Sequence, residues 1–298
     1  MKQALTILCC LLLCSSALFS QEEDLLGELE QDMDQSNTII AAFKGLKVIN
    51  FESTKLAGAK DFYFMVSHRF GSVENGFDDF FGLDNAVTQL KFIYGFNSWL
   101  NAGIARSSFD KKYGLHAKYR LIGQQEDGFP LTLVGYNLVT INTALDDDLL
   151  PNLEFSDRLV YTSQVLISRK VSRAFSVLLA PTYIHENLAT RSFVNNEDGS
   201  TSVYDEDNDQ FALGMGGRYK IAKRWSINVD YGLHFNRNSN SNFVNPLSIG
   251  VDLETGGHVF QMHFTNAQGM FEESYLVRAQ GDWGDGNFYF GFNLSRVF

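Results

Sequence analysis

The sequence predicts an all-β fold, an antiparallel up-and-down transmembrane β-barrel, on three observations. From Phe43 onward, apolar residues alternate with small or polar ones, the period-two pattern of strands that have two different faces. Most of these stretches reach the roughly 9–11 residues that a tilted strand needs to cross a membrane. Short and long links alternate between them, as in barrels that have tight turns at one rim and longer loops at the other.

The span from Trp225 to Asn236 shows the alternation most clearly. Aromatic and aliphatic residues hold its odd positions, and serine, asparagine, aspartate, glycine and histidine hold its even ones. Spans 112–122 and 209–221 repeat the pattern. Aromatics stand near the span ends, as at Trp225 and Phe235, which is typical of the aromatic girdles at membrane interfaces. A soluble β-sandwich is the alternative, but its strands are usually only about 5–6 residues long.

The alternation predicts about twelve strands. Their spans lie near 60–70, 87–97, 99–107, 112–122, 130–142, 157–169, 174–185, 209–221, 225–236, 246–254, 257–266 and 286–298. One further stretch, 43–53, also alternates. It is either a short periplasmic or lumenal segment, or it joins the wall together with a missed strand in 270–280, which makes fourteen. We predict twelve because the links sort correctly at that number.

The N-terminus has the anatomy of a secretory signal peptide over residues 1–20. Lys2 gives a basic start, an apolar run spans 4–13, and small residues lead to cleavage after Ser20. All three cysteines lie in this stretch, so the mature chain offers no thiol for nucleophilic or zinc chemistry. Residues 21–53 form an acidic helix or arm and the strand-like stretch, and 54–298 form the barrel.

Composition and motifs exclude several functions. The net charge of −11 argues against a nucleic-acid partner. The sequence has no nucleophile elbow, phosphate loop, dinucleotide fingerprint or haem-attachment motif, so we expect neither an enzyme nor a cofactor. The stretch His263-Phe264-Thr265-Asn266 resembles the His-x-Ser-Asn motif of outer-membrane phospholipases. However, threonine replaces serine, and the strand phase points His263 and Thr265 into the lumen, away from lipid.

The lumen is the predicted functional region. The strand phase points a mixed set of charged and histidine side chains inward: Lys112, His116, Lys118, Arg120, Arg218, Lys220, Asp230, His234, Asp252, Glu254 and His263. Bases on two spans and acids on two others could neutralise one another across a narrow interior. Such charges either keep the wall hydrated and rigid or line a path for a small polar solute.

A weak calcium candidate lies in the predicted loop before residue 209. Asp205, Asp207 and Asp209 stand at alternate positions there, and calcium prefers clustered oxygen ligands. The loop lacks the glycine and glutamate of an EF-hand. A solvated acidic loop is the simpler interpretation, and no metal site is predicted.

The last strand predicts a membrane-insertion signal. Phe290, Phe292, Leu294 and the terminal Phe298 alternate with polar or small residues, and Arg296 interrupts the apolar face. Outer-membrane barrels resemble one another in ending this way, and the barrel-assembly machinery reads the pattern. We therefore expect Arg296 at the membrane interface, where its guanidinium can reach the headgroups.

Five short stretches suggest a family. They are His68-Arg69-Phe70-Gly71, Gly256-Gly257-His258, Phe264-Thr265-Asn266, Gly281-Asp282-Trp283 and Gly291-Phe292-Asn293. Together they resemble an uncharacterised family of exported β-barrel proteins of Gram-negative bacteria, over most of the mature chain. The resemblance implies an outer-membrane barrel in contact with lipid and lipopolysaccharide, and it supplies no catalytic residues.

Overall fold

Alternating segments form nearly all of the strands in the computed structural model, which describes residues 40–196 and 198–298. The strands are β1 (Phe62–Ser72), β2 (Ala86–Gly95), β3 (Leu100–Ser107), β4 (Tyr113–Ile122), β5 (Thr132–Ile141), β6 (Leu159–Lys170), β7 (Phe175–Glu186), β8 (Arg191–Asn195), β9 (Thr201–Asp205), β10 (Asp209–Lys220), β11 (Trp225–His234), β12 (Leu247–Thr255), β13 (His258–Thr265) and β14 (Tyr289–Val297). Within these described ranges, one α-helix, α1, spans Glu272–Leu276, and 3-10 turns span Gly76–Asp79, Phe109–Lys111 and Phe155–Arg158.

Twelve of these strands close into one antiparallel barrel. Each wall strand pairs with its neighbour along the chain, and β1 pairs with β14 from Tyr63↔Val297 to Arg69↔Gly291. Strands β8 and β9 form a separate hairpin in the link between β7 and β10. The predicted twelve-strand barrel is confirmed, with strand ends displaced by at most three residues. Among the described residues, closure leaves the barrel wall without an edge strand that has unpaired backbone groups.

The fourteen-strand alternative is wrong. Residues 270–280 contain α1 rather than a strand, and residues 43–53 form a compact turn with one isolated bridge, Lys47↔Glu52. The apolar residues Phe271, Tyr275 and Leu276 fall at helical spacing, and all three are buried inside the barrel. A wall strand would have placed half of its side chains on the outer surface.

The two faces of the wall differ as the alternation requires. On β2, Leu90, Phe92 and Tyr94 are each about two-fifths exposed on the outside, whereas Gln89 and Lys91 are buried inside. The same division recurs around the barrel, where many exposed aromatic and aliphatic side chains cover the outer surface. An apolar exterior over a polar interior suits a hydrocarbon surrounding.

The links sort by rim. The terminal rim is the one at which β1 begins and β14 ends, and its links are short, down to the turn at 256–257 between β12 and β13. The loop rim carries the long links 73–85, 142–158, 187–208, 235–246 and 266–288, together with the short link 108–112. The predicted alternation of link lengths is therefore present.

Residues Ala41–Phe298 form one compact unit. The predicted signal peptide and most of the acidic arm lie outside the described residues. Within the described ranges, no helix combines the length and the hydropathy of a membrane span.

Candidate functional site: the filled barrel lumen

Two segments of the described part of the chain fill the interior of the barrel. The N-terminal plug, residues 41–58, precedes β1, and nearly all of its side chains are buried. The inward loop, residues 267–281, connects β13 to β14 and carries α1, all of whose residues are buried. The two segments meet where the Phe51 and Tyr275 rings pack edge to face with centroids 5.1 Å apart.

The tip of the plug, residues 47–53, is held through its main chain by wall side chains. The Asp230 carboxylate oxygen Oδ2 accepts hydrogen bonds from the backbone N–H groups of Ile49 (3.1 Å), Asn50 (2.7 Å) and Phe51 (3.2 Å). In the other direction, Gln261 Nε2 donates to the Val48 carbonyl at 2.9 Å. These bonds satisfy backbone groups of a buried segment that pairs with itself at one bridge, Lys47↔Glu52, rather than with a wall strand.

Further wall groups complete the tip's polar contacts. Asn293 Nδ2 donates to the Ile49 carbonyl at 3.0 Å. The Asn50 amide donates to Ser248 Oγ at 2.9 Å, and its oxygen accepts from the Arg69 guanidinium at 2.9 Å. The wall therefore binds both the donor and the acceptor group of the Asn50 side chain.

Glu52 is the electrostatic centre of the plug. Its carboxylate accepts from Lys118 Nζ at 2.6 Å and from Lys91 Nζ at 2.7 Å, and Lys47 Nζ lies 3.6 Å away. Burial alone would raise the pKa of Glu52, but the three ammonium groups outweigh it and hold the pKa well below its usual value. Glu52 therefore remains ionised and pairs with two wall lysines from β2 and β4.

Lumenal glycines provide the space for both segments. A Cβ at Gly214 on β10 would stand 2.2 Å from the Phe51 ring, and one at Gly114 on β4 would stand 2.5 Å from the Phe271 ring. These inward glycines of β4 and β10 thus provide the space in which inserted aromatic rings pack. A larger residue at either glycine would displace the aromatic ring that occupies its seat.

The inward loop is fixed by its own ion pairs. Lys112 Nζ lies 3.1 Å from the Glu273 carboxylate and donates to Ser274 Oγ at 3.0 Å. Arg278 pairs with the Glu186 carboxylate at 2.9 Å. The neighbouring Glu272 is buried, and burial raises its pKa to about 7. Its protonation state therefore changes near neutral pH.

The predicted inward residues lie on the lumenal face at two depths. Most are buried: Lys112, His116, Lys118, Arg218, Asp230, His234, Asp252 and His263. Arg120, Lys220 and Glu254 are partly exposed near the terminal rim.

Three of these charges bind the inserted segments rather than one another. Arg218 pairs with Glu254 along the wall, but Lys118 and Lys112 pair with acids of the plug and of the inward loop. Asp230 binds backbone N–H groups of the plug. The inserted segments thus supply the counterparts of Lys112, Lys118 and Asp230.

The strand phase could have identified two missed residues. Arg69 and Lys91 occupy inward positions of β1 and β2, on the same alternation that predicted the others. Glu52 and Glu273 carried no such signal, because neither lies on a strand.

His263 and Thr265 lie inside the barrel and are buried. Thr265 Oγ1 accepts from the Asn50 amide at 3.0 Å, so the hydroxyl belongs to the seat of the plug tip. Neither side chain faces lipid, which a membrane lipase would require.

The three loop carboxylates have separate partners. Asp205 pairs with Arg191 at 2.9 Å, Asp207 accepts from the Asn236 amide, and Asp209 accepts from Tyr183 Oη at 2.6 Å. Within residues 40–196 and 198–298, no group of three or more histidine, cysteine, aspartate or glutamate side chains could hold a metal ion.

The last strand presents its alternating apolar residues to the exterior. Phe290 and Phe70 stack with centroids 5.6 Å apart across the β1–β14 seam. Arg296 is exposed at the terminal rim, with its guanidinium 4.6 Å from the centroid of the Phe298 ring. The arginine thus lies at the end of the wall, where headgroups are within reach.

Several solved barrels are similar to this chain. The NanC porin shares 10% identity over 80% of this chain and 98% of that chain, with a TM-score of 0.47. The COG4313 outer membrane channel from Pseudomonas putida F1 shares 14% over 82% and 97%, also with 0.47. The translocator domain of the autotransporter NalP from Neisseria meningitidis shares 11% over 95% and 97%, with 0.40. At these TM-scores the likenesses support no functional assignment.

Comparison with curated proteins gives no match. A family model does match, over residues 43–298, and that range includes the plug from residue 43 onward as well as the whole wall. Its description agrees with the closed barrel, the apolar exterior and the resemblance noted in the sequence. The chain therefore belongs to the family described as membrane-bound beta barrel domain (DUF5777).

Proposed function

We propose that this protein is a plugged channel of the Gram-negative outer membrane that admits small polar solutes when the plug tip moves. The observation that supports this proposal best is the charged contact between the plug tip and the wall. The tip meets the wall through Glu52, Lys91, Lys118 and Asp230, all of them buried. Replacing buried ion pairs with well-packed apolar residues is often neutral or stabilising, so a permanent seal does not need charge. A wall that is covered in one state and hydrated in the other does need charged groups.

The size of the barrel supports the same proposal. Eight strands leave an interior just wide enough for side chains, whereas sixteen to eighteen leave an aqueous channel. Twelve strands lie between these cases. Movement of the plug tip would therefore open a narrow passage between the polar wall and the inward loop, which suits small solutes.

Liposome swelling tests the proposal. Proteoliposomes with the wild-type chain or with Glu52→Gln are diluted into isosmotic solutions of small sugars and amino acids. Both should swell faster than empty liposomes, with Glu52→Gln the faster and with rates that fall as solutes grow. Swelling of both no faster than that of empty liposomes would overturn the proposal.

A second candidate is a closed barrel that anchors or docks an envelope partner. The Phe51–Tyr275 contact favours it, because it joins the two inserted segments into one packed interior. Crosslinking in cells followed by mass spectrometry tests it. A partner that is recovered repeatedly, together with swelling no faster than that of empty liposomes, would favour the anchor over the channel.

The remaining expectations belong to the same proposal. Cleavage near Ser20, insertion by the barrel-assembly machinery and contact with lipopolysaccharide would place the chain in the outer membrane. The apolar outer face and the aromatic C-terminal strand support this location.

A further inference from the structure

The plug tip is bound as a peptide ligand is bound. Side chains of β11, β13 and β14 contact consecutive backbone groups, with Asp230 accepting from three N–H groups and Gln261 and Asn293 donating to carbonyls. Every peptide carries these groups. Recognition through the main chain is therefore independent of the sequence of the bound segment, as in other modes of peptide recognition.

Two side chains of the tip are recognised individually. The Glu52 carboxylate lies between Lys91 and Lys118, and the Phe51 ring occupies the space above Gly214. The wall thus offers one anion site and one aromatic site, which bind two consecutive residues of the plug tip. Asn50, which precedes Phe51, contacts Arg69, Ser248 and Thr265.

When the tip leaves, these wall groups lose their partners together. Lys91 and Lys118 lose a shared carboxylate, and Asp230 loses three donors. A solute that restores only one of these contacts leaves the others unpaired. A short peptide with an acidic side chain restores all of them, because it carries N–H donors, carbonyls and a carboxylate at the same spacing.

We propose that the lumen is a binding site for short acidic peptides, and that residues 47–53 occupy it as a built-in ligand. The proposal rests on the channel function proposed above, and it names the solute class for that channel. Because the built-in ligand is tethered, its effective concentration is in the millimolar range, and a free peptide must compete at about that concentration.

The test measures binding rather than transport. The probe is an acetylated and amidated tetrapeptide, Ile-Asn-Phe-Glu, with a fluorine label on its phenylalanine ring. It is titrated by fluorine NMR into the full-length Glu52→Gln variant in detergent micelles, where the two lysines lack their own carboxylate. The control peptide, Ile-Asn-Phe-Gln, differs only in the charge.

The acidic peptide should bind at least tenfold more tightly than the control, because only it restores the ion pairs. Adding Lys118→Met to Glu52→Gln should reduce that preference to less than threefold. Equal binding of the two peptides, or no binding, would overturn the inference. A difference in gel mobility between heated and unheated samples confirms that each variant is a folded barrel. If Glu52→Gln fails this check, Phe51→Ala replaces it with the same expected preference.

The outcome is independent of the channel assay. Swelling without preference for the acidic peptide would leave the channel and remove the peptide site. Selective binding without swelling would remove the channel and leave a peptide-binding barrel.

Discussion

Replacing Glu52 with glutamine should open the barrel more often. The carboxylate accepts from two ammonium groups at 2.6 and 2.7 Å, with a third at 3.6 Å. A glutamine oxygen can accept from one lysine, but its NH₂ group then faces the other lysine. The plugged state thus contains a buried and uncompensated cation, whereas the released state lets both lysines hydrate.

The magnitude follows from these contacts. Breaking a buried ion pair costs about 3–5 kcal/mol, and one hydrogen bond to a charged group is worth about 1.5–3 kcal/mol. Because glutamine keeps one of the bonds, we take the lower end, about 3 kcal/mol. At about 1.4 kcal/mol per factor of ten, the ratio of released to plugged molecules should rise about 100-fold.

Single-channel recording in planar bilayers measures this ratio as open probability. The matched control is Glu254→Gln, which removes a charge from the wall pair with Arg218 and leaves the contacts of the plug tip intact. It should open like the wild type. If Glu52→Gln also opened like the wild type, the Glu52 ion pairs would not be what holds the plug.

Three further predictions follow from the lumen and from the last strand. Gly214→Val should displace the Phe51 ring and raise open probability in bilayers, whereas Gly217→Val on the outer face, with no atom within 4 Å of the added Cβ, should not. Equal open probabilities in the two variants would show that Gly214 does not provide the space for the Phe51 ring. Because burial raises the pKa of Glu272 from 4.5 to about 7, the seated inward loop binds a proton that the released loop gives up. The stabilisation that this proton gives the seated loop is fully present below about pH 4.5 and falls as the pH rises to 7. Protease cleavage of the loop should therefore increase over that range. Glu272→Gln should flatten the profile, and an unchanged profile would contradict the assignment. Deleting Phe298, whose ring lies 6.3 Å from that of Phe62, should lower the membrane-inserted fraction in cell fractionation, and normal insertion would refute its role.

The wall could be predicted from the sequence because its cause is local. Each strand has one apolar and one polar face, and the pleat turns that difference into alternation over about ten residues. The strand ends and the sorting of links followed from the same pattern, as at Trp225 and in the turn at 256–257. Even the missed lumenal residues Arg69 and Lys91 lie on the predicted phase.

The contents of the lumen could not be predicted in this way. The plug tip forms one bridge with itself instead of pairing with a wall strand, and part of its backbone is satisfied by side chains such as Asp230, about 180 residues away along the chain. Alternation in 43–53 therefore resembled a strand, although the stretch folds as a turn. The apolar residues of 270–280 were ambiguous because a short buried helix and a short strand have similar compositions.

A reversible lock on the plug tests the central claim most directly. Thr54 Oγ1 and Ser168 Oγ lie 2.6 Å apart, one on the plug and one on β6. The pair Thr54→Cys and Ser168→Cys can therefore be joined by a disulfide in a chain whose own three cysteines all lie within residues 9–14. The single-channel current of this one protein is recorded before and after a reductant is added. We predict silence in the oxidised state and discrete openings after reduction, whereas equal currents in the two states would show that residues 41–58 do not close the barrel.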